Sequence, residues 1–168
     1  MDANALKALQ APLKDKYRQT PQAAVITLKA EGRIGEGVTC RVATAKAPVE
    51  AGLHPATGGS GAAACSGDML LEALVACAGV TLNAVATALG LTLRDAVIRA
   101  EGDLDFRGTL GVAKEAPVGF RDIRLSFAID GSLSEEQRAT LMKLTERYCV
   151  VYQTLRTPPP IAVASRVT

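Results

Sequence analysis

The sequence contains no tryptophan, one histidine and only 4% aromatic residues. With so few rings, a packed interior has to be built from Ala, Val, Leu and Ile. The same scarcity argues against nucleic-acid binding, since aromatic platforms are what stack on unpaired bases. A formal net charge of +2 is too small to draw a polyanionic partner. The lone histidine, His54, cannot furnish a histidine-rich metal site, and no Cys-x-x-Cys pair occurs among the four cysteines. Neither zinc nor any other cofactor is therefore expected. His54 falls in a proline-containing loop, which gives a Cys-His-Asn hydrolase little support. Gly58-Gly59-Ser60-Gly61 lacks the following Gly-Lys-Ser/Thr of a phosphate loop and reads as a flexible approach to a site. Residues 1–7 hold no apolar signal core, so the expected compartment is cytoplasmic, where thiols stay reduced.

What is present suits one soluble domain. The 168 residues are 48% apolar and 21% charged, enough for a single core. Residues 1–22 read as an N-terminal helical extension, with Leu6, Leu9 and Leu13 at helical spacing and Pro12 interrupting them. Residues 24–30 alternate as a strand, 31–37 turn, and 38–43 alternate again with Val38, Cys40 and Val42 on one face. A hairpin is expected, with Cys40 a small core residue. After a Gly-, Ala- and Pro-rich loop comes an apolar helix over 68–89, with Ser66 or Asp68 as cap and Gly90 closing it. This run is long enough to raise a membrane span, but Glu72, Asn83 and two threonines favour a buried core helix. Strands are expected over 95–106 and 120–129. Ser134-Glu-Glu-Gln137 matches a capping box for a helix to Tyr148. Pro158 to Pro160 break the chain, and 161–167 can form a last strand. This order indicates an α+β domain with a mostly antiparallel sheet.

Two thiols stand out, Cys77 inside the apolar helix and Cys149 at the end of the later one. The Gly58-Gly59 loop, the run Leu70-Leu-Glu-Ala-Leu-Val-Ala-Cys77 and the segment Cys149-Val-Val-Tyr-Gln-Thr-Leu155 together resemble the OsmC/Ohr family, the osmotically inducible and organic-hydroperoxide-resistance proteins. The resemblance covers residues 24–167. It implies an α+β fold with sheets packed around two long central helices, and an intertwined homodimer with its sites at the interface. It also implies a thiol-dependent peroxidase that reduces organic hydroperoxides to alcohols. Cys77 aligns with the family's peroxidatic cysteine and Cys149 with its resolving cysteine, and a dithiol, lipoyl-type or other, is the implied reductant. The alternative is a non-enzymatic dimeric protein of the same fold that binds a ligand or senses oxidation.

The implied chemistry needs a thiolate at Cys77. Burial opposes one, and a mid-helix position gains little from the helix dipole, so a cation is required. Arg33 matches the family's hairpin arginine, with Arg41 as second choice. Asp68 matches the acidic residue that holds that arginine, its competing role being a helix cap. The chain departs from the peroxide-resistance branch in two places. Ser66-Gly67-Asp68 stands where Pro-Glu is usual, and Val150 where proline usually follows the second cysteine. Cys65, at a helix start, is the thiol that a dipole would acidify, but it lies roughly 16 Å from Cys77 along the helix, beyond disulfide reach. Glu72 is a further acidic candidate.

Overall fold

In the computed structural model, residues 3–34, 40–42 and 51–167 are described, with the backbone alone at 3–7, 9, 28–30, 34 and 40–42. The expected turn tip at 35–37, the start of the second hairpin strand and the side chains of Cys40 and Arg41 lie outside the described residues. The strands β1 (Val25–Ile34), β2 (Cys40–Val42), β3 (Asp95–Asp105) and β4 (Phe120–Asp130) form one sheet in the order β2-β1-β3-β4. Every pairing is antiparallel, and β1 and β2 make the expected hairpin. The helices are α1 (Ala3–Gln19), α2 (Ser66–Ala88), the single turn α3 (Phe106–Thr109), α4 (Glu135–Tyr148) and α5 (Val150–Arg156).

The core sits between one face of the sheet and α2. Leu71, Leu74, Val75, Ala78, Leu82, Val85 and Ala86 are buried, the three-and-four spacing of one helical stripe. Ala96, Ile98 and Ala100 alternate inward from β3 to meet it. By length and mean hydropathy (1.8), α2 could cross a membrane; here it packs against the sheet, α4 and α5. Its end is a Schellman motif. Gly90 takes a φ of +65°, its N–H donates to Thr87 O, and the Leu91 N–H donates to Ala86 O. At Gly102 an added Cβ would meet the Phe120 ring at 2.5 Å and Leu71 Cδ2 at 3.4 Å. That close approach fixes the level of α2 over the sheet.

Three elements differ from expectation. Helix α1 runs unbroken through Pro12, and it is anchored rather than loose. Tyr17 is buried against Phe106 and Leu110, and its hydroxyl donates to Ala56 O at 2.6 Å. Residues 161–167 form no strand; Ile161, Val163 and Val167 are almost fully exposed. The segment after Cys149 is a short helix, α5, which carries Tyr152 and Leu155 against the core. The capping box at Ser134 forms in both directions, with Gln137 N–H to Ser134 Oγ at 3.1 Å and Ser134 N–H to Gln137 Oε1 at 2.9 Å.

Candidate active site

The chain bends at Cys149, which ends α4 and begins α5 in extended geometry (φ −71°, ψ 106°). Its N–H still donates to Thr145 O at 2.9 Å, and its own carbonyl accepts from Gln153 N–H at 2.9 Å. The bend turns the side chain into the core, where Cys149 is 1% exposed. There it packs beside Cys77, close enough for the Cys77 thiol to act on the Cys149 proton. Cys77 is half-buried on α2. Two thiols 72 positions apart in sequence are thus in contact, and both are reduced.

Their surroundings are unequal. Burial pushes the Cys149 thiol up to about 11, and the neighbouring Cys77 thiol pushes the same way. The backbone N–H groups of Tyr152 and Val151, at the open start of α5, offset part of this rise. A cavity of about 490 Å³ lies between the sheet, α2, α4 and α5, lined by Leu74, Ile123, Leu125, Phe127, Met142 and Tyr152, with Arg121, Asp122, Glu146 and Arg156 as its charged residues; neither thiol lines it. It exists because β4 turns its apolar side chains inward yet none of them is fully buried. No group of three or more His, Cys, Asp or Glu side chains able to hold a metal ion occurs among the described residues.

Arg33 does not join the thiols within this chain. It pairs with Val97 in the strand register, and inward-facing Ala96 and Ile98 flank that position. Arg33 therefore projects from the face opposite α2, where its guanidinium holds Asp95 at 2.6 Å. Arg99 with Glu31 (2.8 Å) and Arg124 with Asp103 (2.8 Å) continue the same polar face. Arg41 is the register partner of Arg33 on β2.

Asp68 is not brought to Arg33 either. Leu71 lies over Gly102, and the Arg33 level is five residues further along β3, roughly 16 Å away. Asp68 has His54 as a neighbour; burial raises the Asp68 carboxyl above its usual value and the imidazole partly opposes this. His54 is held in place by stacking on Phe106 at 4.9 Å between centroids and by accepting the Ala56 N–H at Nδ1. Sequence reading passed over this partnership because His54 and Asp68 belong to different segments. Cys65 occupies the cap position of α2 without a side-chain capping bond. It lines a separate cavity of about 410 Å³ with His54, Leu70 and Phe106. Glu72 is half-buried and about 140° round the helix from Cys77.

With this geometry in view, the chain is placed among known proteins. The OsmC-like protein family matches residues 58–164, well over half the chain, and the chain belongs to that family. Its fold is similar to that of an OsmC-like hydroperoxide resistance protein from Jannaschia sp. CCS1 (TM-score 0.62, 16% identity, covering 86% of this chain and 95% of that one). It is also similar to that of an OsmC-like protein from Mycoplasma pneumoniae (TM-score 0.55, 17% identity, 80% and 86% covered). At these identities the likeness is one of fold. No curated protein matches the chain in sequence.

Proposed function

We propose that the protein is a thiol-dependent peroxidase that reduces organic hydroperoxides to alcohols. The observation that carries this reading is that the Cys149 and Cys77 thiols, distant in sequence, lie beside one another in the core. Cys77, the more accessible sulfur, attacks the terminal oxygen of R–O–O–H. An S–O bond forms, the O–O bond breaks, and the alkoxide takes a proton and leaves as alcohol. Cys149 then attacks the Cys77 sulfenic acid, giving a disulfide and water, and an external dithiol of lipoyl or similar type resets the pair. Cys149 is suited to the second step. It is closed to peroxide by burial and holds its proton near neutral pH, so it waits as a thiol beside its target. The apolar side chains of the cavity bordered by Leu74 and Tyr152 favour an alkyl-bearing peroxide over hydrogen peroxide.

Two copies of the chain complete the working unit in this reading. Met69, Leu70 and Val80 leave apolar surface of α2 uncovered in a single chain, which a second α2 can bury. The cation that activates Cys77 is then a residue of the second copy, and a reducing cytoplasm supplies the dithiol. A redox-sensing role is the second reading. It is favoured by Arg33 facing away from Cys77, since a thiol without its cation is oxidised slowly.

Dithiol-driven consumption of cumene hydroperoxide tests these readings. Cys77→Ser is expected to abolish turnover, and Cys149→Ser to stop it after one oxidation. Arg33→Ala is expected to stay within about threefold of the wild-type rate, because an exposed ion pair contributes little. Undiminished activity in Cys77→Ser refutes the assignment. Oxidation to a Cys77–Cys149 disulfide without sustained turnover selects the sensor.

A further inference from the structure

Thr145 lies on α4 and is 1% exposed, yet its Oγ1 has no hydrogen-bond partner among the described residues. Buried hydroxyls are almost always paired, because the lost hydration is otherwise uncompensated. A helical threonine also has a ready acceptor in the carbonyl four residues back, which Thr145 does not use. Leu141, Thr145 and Cys149 recur every four residues and are all buried, so they form one stripe. Leu74 of α2 and Met142 and Glu146 of α4 line the same cavity. This turn of α4 therefore lies against the turn of α2 that precedes Cys77. The hydroxyl stands about one helical turn before Cys149 along α4, with a proton to donate and no acceptor among the described residues.

We propose that the Thr145 hydroxyl is the hydrogen-bond donor to the sulfenic oxygen formed on Cys77, and so a catalytic residue for the resolving step. The assignment rests on the peroxidase reading above. In the reduced protein no such oxygen exists, which accounts for the unpaired hydroxyl. After peroxide attack Cys77 carries S–O–H. As the Cys149 sulfur attacks the Cys77 sulfur, the S–S bond forms and the S–O bond breaks. The departing hydroxide takes the Cys149 proton and leaves as water. Thr145 keeps its own proton throughout, holding the oxygen on the side away from Cys149 and stabilising the charge that develops on it.

The test follows the wild type, Thr145→Val and Thr145→Ser after one equivalent of cumene hydroperoxide. A dimedone-type trap reports sulfenic acid and intact mass reports disulfide. In Thr145→Val, oxidation of Cys77 is expected within about twofold of wild type, while disulfide formation slows by about tenfold or more. The delayed sulfenic acid then persists for the trap, and a second equivalent of hydroperoxide carries it on to sulfinic acid. Thr145→Ser is expected to restore resolution, and the reduced valine variant to melt no lower than wild type. Wild-type disulfide formation in Thr145→Val overturns the assignment, as does a serine variant as slow as the valine one. A wild type that yields neither sulfenic acid nor disulfide overturns the peroxidase reading, and this assignment with it.

Discussion

At Cys149 the local chemistry makes a stability prediction with a definite sign. The folded protein holds this thiol at about 11, against an ordinary 9.0, chiefly through burial. Between those values the unfolded chain has released the proton and the folded chain has kept it. The stabilisation is complete below about pH 9 and is lost as pH rises towards about 11, to a total of about 2–3 kcal/mol. Urea denaturation across that range is expected to show the decline in wild type, and a markedly shallower one in Cys149→Ala. Asp68 departs in the opposite functional sense from the sequence expectation. Its neighbour is an imidazole rather than a guanidinium. Nothing in the segment around Asp68 announces His54, because that contact depends on how the loop before α2 folds over Phe106.

The elements themselves were largely readable from local pattern. The capping box at Ser134, the glycine closure of α2 and the alternation in β4 are short-range signals, and each appears where its residues predict it. The last strand failed for the complementary reason. Residues 161–167 carry β-branched side chains, but a strand needs a neighbour to pair with, and none among the described residues engages them. Pro12 was read as an interruption, yet packing of Leu13 and Tyr17 against Phe106 accompanies a continuous helix. The junction of α2 with the sheet makes its own prediction. Gly102→Ala places a methyl 2.5 Å from the Phe120 ring, and overpacking of this kind costs about 1–3 kcal/mol. Equilibrium urea unfolding of that variant is expected to show the loss with little change in slope.

For the molecule as a whole, the half-covered inner face of β4 and the uncovered apolar residues of α2 point to a second copy. Sedimentation equilibrium is expected to give a dimer, and Val80→Arg, at a position 37% exposed in one chain, a monomer. A wild-type monomer at micromolar concentration removes the proposed interface. The sequence by itself determined the α+β order, the apolar helix bearing Cys77 and the family resemblance, because these depend on residues close together in the chain. Only the tertiary structure decided which side of the sheet Arg33 occupies. The strand period says that neighbours alternate, but not which set faces the helix until the hairpin has docked. It also decided that Cys149 turns inward to meet Cys77 while Thr145, one turn earlier, stays unpaired. Those relations arise from the bend between two helices packed on a third, and local patterning does not encode the bend.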